Sequence, residues 1–197
     1  MSKSFADALK ELPGIEHDIQ PGDEVSAGLG VQVRYDEQAH QTVEEHFDFP
    51  HNEQEPGQEI FNHFTERRNN YRDLDEDRVS RDQEGNPVFS DLVEEQIGEC
   101  VEMALVGVQH AQEEAEEVYL VNGSLPSLDE LNYKVPEHAY LILEQDNGQF
   151  EVYDPSRILG EEPVRGTITD IGESNTLILD EETQTAIEQA YDKRYSL

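Results

Sequence analysis

The sequence predicts an α+β fold in which a helix that carries the only cysteine packs on an antiparallel sheet that carries a histidine and an aspartate. Apolar residues recur at three- and four-residue steps after Gly98, which is the period of a buried helix. Short apolar runs separated by turn residues follow from Val118 to Asp154, which is typical of antiparallel strands. The 197 residues are enough for one domain with a substantial core.

The acidic composition limits the partners of the chain. Asp and Glu number 46 against 13 Lys and Arg, a net charge of -33 with a pI near 4.2. Such a surface repels nucleic acid and anionic lipid, so neither is expected as a partner. An acidic disordered chain and a folded, salt-adapted domain are both compatible with this charge. The aromatic content of 8%, the apolar runs and the even spread of carboxylates favour the folded domain.

The charge also indicates where the protein works. Molar salt shortens the Debye length to about 3 Å and thereby screens carboxylates from one another. We therefore expect a protein from a halophilic organism, located in the cytoplasm, or from a virus that infects such an organism, located in the virus particle. Residues 1–10 lack the apolar core of a signal peptide, and no run approaches the ~20 apolar residues of a membrane span. A soluble chain without a membrane partner is expected.

The first part of the chain is predicted to contain a short helix, a β-hairpin and a second helix. Residues 4–12 place Phe5, Leu9 and Leu12 on one helical face. Residues 28–35 and 41–49 alternate apolar and polar side chains and predict the two strands of a hairpin, and the spacing from Ile60 to Tyr71 is helical. The charged stretch that ends at Gly85-Asn86-Pro87 predicts a boundary between an N-terminal elaboration, 1–86, and a second domain, 87–197.

The main helix is predicted to place the cysteine in its first turn. Ser90 is the expected N-cap of a preceding helical turn, and Gly98 interrupts the apolar pattern just before Cys100. Glu102 is expected on the polar face of the main helix. The unpaired amides at a helix start favour a thiolate, which makes Cys100 a candidate nucleophile. Alternatively, Cys100 is a small apolar residue of the core, as free cysteines commonly are.

Two adjacent strands are predicted to bring a histidine and a carboxylate together. Residues 138–143 and 149–153 form strands on either side of a tight turn at Asn147-Gly148. His138 near the start of one strand and Asp154 at the end of the other are therefore expected to be neighbours. Residues 164–171 and 176–179 predict two further strands, and a final helix is expected to begin at about Asp180.

Three motifs in this part resemble those of a known family. The chain has Gly98-Glu-Cys100-Val-Glu102-Met-Ala104, then His138-Ala139-Tyr140, then Val152-Tyr153-Asp154-Pro155-Ser156. Their order is similar to that of the transglutaminase-like branch of the papain-like superfamily of cysteine hydrolases, over roughly residues 88 to 158. The resemblance implies a papain-like core with a catalytic triad. Cys100 is then the nucleophile, His138 the general base and acid, and Asp154 the residue that orients the imidazole.

The resemblance also implies a reaction class. A Cys-His-Asp triad performs acyl transfer on an amide or ester carbonyl, as in cysteine peptidases, amidases and transglutaminases. A peptide or amide would be the substrate, and no cofactor is expected. The transition state requires a donor to its oxyanion, for which the main-chain amide of Cys100 and the side chain of Gln96 are candidates.

The two alternatives to a triad enzyme are a metal site and a structural role. No metal is expected, because His40, His46, His51 and His63 form no His-Glu-x-x-His motif, and the acidic run from Asp73 to Asp77 lacks the spacing of a calcium loop. The single cysteine also excludes an intramolecular disulfide.

A structural component of a large assembly, such as a particle of a halophilic virus, is the second alternative. Its contacts would be other chains of the assembly, and its triad would be vestigial or used in assembly.

Overall fold

The computed structural model shows an α+β protein with an antiparallel sheet and six α-helices among the residues that it describes. The described residues are 4–12, 14–27, 31–47, 49, 56–67, 71–123, 138–156, 163–171 and 177–195. The α+β class predicted from the sequence is thus confirmed.

A six-stranded sheet forms the centre of the molecule. Its order is β1-β4-β5-β6-β7-β8, and every neighbouring pair is antiparallel. The strands are β1 (Ile15–His17), β4 (Glu117–Gly123), β5 (His138–Glu144), β6 (Phe150–Asp154), β7 (Val164–Ile171) and β8 (Leu177–Leu179). A separate two-stranded sheet consists of β2 (Glu24–Ser26) and β3 (Gln32–Arg34).

Helices cover both faces of the central sheet. They are α1 (Phe5–Lys10), α2 (Ala39–His46), α3 (Pro56–His63), α4 (Phe89–Glu94), α5 (Cys100–Ala111) and α6 (Glu181–Tyr195). Strand side chains alternate between the faces, so Leu120 and Leu141 pack in the core that includes α2 to α5. Tyr119 and Tyr140 pack on the opposite face, in the core that includes α1 and α6. Helix α5 is buried on all sides between the sheet and the N-terminal helices.

The predicted hairpin of β5 and β6 is confirmed. Leu141 pairs with Tyr153 and Ile142 with Val152, and Gly148 adopts a φ of 77° in the turn, a conformation that favours glycine. Continuing this register would place Asp154 opposite Tyr140 and diagonal to His138. The predicted strands at 164–171 and 176–179 are present as β7 and β8, with residue 176 outside the described residues, and the final helix is present as α6. Asp180 caps that helix by accepting hydrogen bonds from the main-chain amides of Glu182 and Thr183, at 3.1 and 3.0 Å.

The hairpin predicted in the N-terminal part is wrong in its second strand. Residues 39–46 form helix α2, and the strands that pair are β2 and β3, with Val25 opposite Val33. The buried residues Ala39, Val43 and Phe47 are spaced by four, so they fit the helical period as well as an alternating one. The helix predicted from Ile60 to Tyr71 is shorter, because α3 ends at His63 and residues 71–73 form a separate 3₁₀ turn. Residues 28–30, 48 and 68–70 of these predictions lie outside the described residues.

The start of α4 is also shifted from the prediction. The helix begins at Phe89, with Val88 and not Ser90 at the N-cap position. The first turn instead receives a carboxylate from a distant segment, since the main-chain amide of Ser90 donates to Asp36 Oδ2 at 2.8 Å. A negative charge at this position stabilises the helix start.

The first 86 residues contribute to the same sheet and to the same cores. Strand β1 pairs with β4, with Ile15 opposite Val121. Gly14 permits this pairing, because a Cβ at residue 14 would clash with the carbonyl oxygen of Asn122. Leu9, which belongs to α1, is fully buried against the sheet. Among the described residues, no helix has both the length and the apolar character that crossing a membrane requires.

Candidate functional site

Cys100 lies at the start of α5, as the sequence predicts. It is the first residue of the helix, is partly exposed, and packs against the core. The preceding segment is held by a short bridge in which the Gly98 amide donates to Glu66 O at 3.0 Å and the Glu66 amide donates to Gln96 O at 3.1 Å. The amides of the first turn have no acceptor within the helix, so the Cys100 amide is available as an oxyanion donor.

His138 and Asp154 form a buried pair at the ends of two adjacent strands. Their side chains are 1% and 0% exposed, and His138 Nε2 lies 2.8 Å from Asp154 Oδ2. The other carboxylate oxygen, Oδ1, accepts a hydrogen bond of 2.9 Å from the main-chain amide of Ser156. Both oxygens of Asp154 are thus engaged, and this fixes the orientation of the carboxylate toward the imidazole.

The ring of Tyr140 covers the imidazole on one side. The centroids of Tyr140 and His138 lie 6.0 Å apart, with 21° between the ring planes. Tyr140 is itself fully buried, and burial together with the charge of Asp154 raises the pKa of its hydroxyl. This ring adds to the low-dielectric surroundings in which the charges of His138 and Asp154 interact strongly.

The electrostatics of His138 connect it to both other members of the predicted triad. Burial lowers the pKa of His138, but the charge and hydrogen bond of Asp154, and then the hydrogen bond and charge of Cys100, together raise that pKa to about 10. His138 Nδ1 is buried and has no hydrogen-bond partner within the described part of the chain. Because Asp154 occupies Nε2, Nδ1 is the ring nitrogen left for Cys100. The structure therefore joins His138 to Asp154 by a direct hydrogen bond and places Cys100 within electrostatic range of the imidazole.

Gln96 is placed differently from these three residues. Its side chain is exposed, and its Oε1 accepts a hydrogen bond of 3.2 Å from the Thr65 hydroxyl group. Its main chain adopts a φ of 59°. Within the described residues, no hydrogen bond links the Gln96 side chain to Cys100 or His138, and a role as oxyanion donor remains a prediction.

Glu102 is a feature of the site that the sequence-based prediction placed incorrectly. It was expected on the polar face of α5, but it is 0% exposed. The Tyr71 hydroxyl group donates to Glu102 Oε2 at 2.9 Å, and the Glu99 amide donates to the same oxygen at 2.7 Å. The spacing of Glu99 and Glu102 is that of a capping box, which is the sequence signal that could have indicated an inward Glu102.

Two groups of potential metal ligands lie among the described residues, apart from the triad. His17, Asp18 and Glu117 bring their ligand atoms within 4.8 Å of one another, but Lys10 Nζ already lies 2.7 Å from Glu117 Oε1. The other group is entirely acidic and consists of Glu24, Asp82 and Glu84. Exposed acidic groups are common in so acidic a chain, and neither group indicates a metal.

Of the N-terminal histidines, His63 is packed, with Nε2 2.7 Å from Val93 O, and His51 lies outside the described residues.

Comparison of the chain with protein-family models, with curated proteins and with solved structures finds no match in any of the three. The geometry of the Cys100, His138 and Asp154 side chains is therefore what supports a function.

Proposed function

We propose that the chain is a thiol-dependent acyl-transfer enzyme with a Cys100-His138-Asp154 triad on a papain-like, transglutaminase-like core. The observation that carries this proposal is the buried hydrogen bond of 2.8 Å between His138 Nε2 and Asp154 Oδ2, together with the influence of Cys100 on the pKa of the same imidazole. A nucleophile next to a base that a third group orients is the arrangement of nucleophilic catalysis. A peptide or another amide is the proposed substrate.

The chemistry follows from the charge state of the pair. The raised pKa of His138 favours an imidazolium, which stabilises a Cys100 thiolate. The thiolate attacks the carbonyl carbon of the substrate, and the Cys100 amide donates to the oxyanion that forms. His138 then gives its proton to the departing amine, and an acyl-enzyme results. Water or a second amine, deprotonated by His138, attacks the thioester carbonyl and releases Cys100 as the thiolate.

The test of this proposal is the rate at which an uncharged alkylating agent, iodoacetamide, modifies Cys100 in multimolar salt. The chain has one cysteine, so all thiol labelling reports on this residue, and C100A provides the background. We expect the folded protein to react at least about tenfold faster than a free cysteine at neutral pH, because it holds a larger thiolate fraction. We expect H138A to lose this advantage, whereas H17A, which removes a histidine at the sheet edge, retains it.

Labelling of the folded wild type no faster than free cysteine would contradict the proposal. That result would support the second candidate, a structural component of a large assembly of a halophilic virus in which the same three residues are vestigial. The near-complete burial of His138 and Asp154 is compatible with such a structural role.

A further inference from the structure

The carboxyl group of Glu102 is the buried ionisable group next to the triad that the proposed mechanism does not use. Its side chain is fully buried in the first turn of α5, two residues beyond Cys100. One carboxyl oxygen, Oε2, accepts hydrogen bonds from the Tyr71 hydroxyl group and from the Glu99 amide. The other, Oε1, is buried without a hydrogen-bond partner among the residues that the structure describes. Buried carboxylates ordinarily have such partners or a cation, so this group requires an explanation.

The surroundings of Glu102 are tightly packed and contain Cys100. Phe64 packs at the same point, since a Cβ on Gly98 would lie 2.7 Å from the Phe64 ring and 2.9 Å from Glu102 Cβ. Tyr71 is 4% exposed, and its main-chain carbonyl accepts a hydrogen bond from Arg81. Burial, then Glu102, and then the charges of Cys100 and Glu99 raise the pKa of Tyr71. Tyr71 therefore lies within electrostatic range of both the thiol and the buried carboxyl group.

We propose that Glu102 is a positioning residue for the Cys100 nucleophile, and that the protonation state of its buried carboxyl group, which accepts a hydrogen bond from Tyr71, controls how readily the neighbouring thiol ionises. This inference rests on the proposed function of Cys100 as a nucleophile. When Glu102 is neutral, only the burial of Cys100 disfavours formation of the thiolate. When Glu102 is ionised, it adds a second negative charge in the same turn of the helix. Like charges in a low-dielectric site disfavour each other's ionisation.

The electrostatics support a proton equilibrium at neutral pH. Burial raises the pKa of Glu102 to about 7, even though the hydrogen bonds from main-chain amides and from Tyr71 act to lower it. Tyr71 faces this carboxyl group from the 3₁₀ turn and Glu99 faces it from the N-cap of α5, and the charge of Cys100 acts on Tyr71. Burial raises the pKa of Glu99 and the charge of Arg67 offsets part of that rise, while His138 interacts with Cys100 from β5. Because Glu102 and Cys100 share the first turn of α5, ionisation of the carboxyl group acts on the Cys100 to His138 pair in this proposal.

The proposal also gives a role to the N-terminal part of the chain. Tyr71 and Phe64, which hold Glu102, both precede residue 87, whereas the three triad residues follow it. The first 86 residues thus supply part of the wall that determines the charge beside the nucleophile.

The test measures thiolate formation directly, as the ultraviolet absorbance that wild type gains over C100A between about pH 4 and pH 10 in multimolar salt. We expect E102Q, which keeps the shape and an acceptor oxygen but cannot ionise, to form its thiolate at a pH lower by about one unit. We also expect the broadened wild-type titration to become a single step. Y71F, which removes the hydrogen bond and leaves the ring, should favour the protonated carboxyl group and shift the titration in the same direction by less. E113Q, a change at an exposed glutamate after the same helix, is the matched control.

Three outcomes are distinguishable in this experiment. Superimposable thiolate titrations of wild type and E102Q would overturn the proposal, even if E102Q were less stable, because a purely structural role alters melting and not the titration. A shift in E113Q equal to that in E102Q would overturn it as well, since it would show a general effect of charge. Thiolate formation that H138A leaves unchanged would instead overturn the proposed catalytic pair, and it would do so whatever E102Q showed.

Discussion

At the scale of a single residue, Asp154 determines whether the imidazole of His138 is protonated. Without the carboxylate, the dominant influence on the imidazole would be burial, which lowers its pKa. The same carboxylate contacts the Ser156 amide through its other oxygen, so its removal would also free the segment that follows β6. The side chain of Asp154 thus affects both the charge of His138 and the geometry of the chain at the end of β6.

D154N provides the corresponding prediction. In wild type, the imidazole should remain protonated to about pH 10, whereas in D154N its pKa should fall by several pH units because burial is no longer offset. Imidazole resonances followed by NMR across the pH range measure this change. D146N, which alters an exposed aspartate in the turn between β5 and β6, should leave the titration of His138 unchanged. A His138 titration in D154N that matches the wild-type titration would contradict the assignment of the pair.

The same pair makes the stability of the protein depend on pH. The pKa of His138 is raised from 6.5 in the unfolded chain to about 10 in the folded one, so the folded state holds its proton more tightly. The resulting stabilisation is fully present below about pH 6.5 and is lost as pH rises toward about 10. Denaturant titrations should show the free energy of unfolding falling over this range in wild type and less steeply in D154N.

At the scale of the element, the start of α5 depends on the close approach of Gly98 to Phe64. Replacing Gly98 by Ala places a Cβ 2.7 Å from the ring and forces α5 or α3 to shift. We expect G98A to lose about 1–3 kcal/mol of stability, as overpacked cores do, and to slow the alkylation of Cys100. E94A, at an exposed position near the end of α4, is the control. Chemical denaturation and labelling rates test the two effects, and unchanged values of both would show that this contact does not position the cysteine.

The elements that could be predicted are those whose determinants are close together in the sequence. The start of α5 follows from Gly98 and the apolar residues after it, and the β5 to β6 hairpin follows from one turn at Asn147-Gly148. For these reasons, His138 and Asp154 could be placed next to each other without a structure. Strand β1 was not predicted, because its three residues, Ile15–His17, are too few to show a pattern, and its identity depends on pairing with β4.

The residues that were predicted incorrectly depend on contacts between distant segments. The pattern around Val43 and Phe47 fits either a strand or a helix, and packing against α4 and α5 selects the helix. Glu102 resembled a solvated helix position because nearly every polar stretch of this chain is acidic. Its burial depends on Tyr71, which is 31 residues earlier in the chain. Sequence periodicity contains no information about such a partner.

For the whole molecule, the net charge of -33 dominates the response to solvent. Folding brings these charges together, and the resulting repulsion is screened only when the Debye length is short, about 3 Å at 1 M salt against about 10 Å at 0.1 M. We expect the melting temperature to rise by more than about 10 °C between 0.1 M and multimolar KCl. Sucrose at matched water activity, which does not screen charge, should give a much smaller increase. Equal stabilisation by both solutes would contradict screening as the cause.

The pairing of early and late segments has a consequence for the order in which the protein acquires its properties. Strand β1 can pair only after β4 has been synthesised, since Ile15 lies opposite Val121. Cys100 likewise depends on Asp154 of β6, which is 54 residues further along the chain. Such non-local contacts form slowly, because long loops must close before any contact is gained. During synthesis, Cys100 leaves the ribosome as an ordinary thiol, and under the proposed function it would become a nucleophile only after the strand that carries Asp154 has joined the sheet.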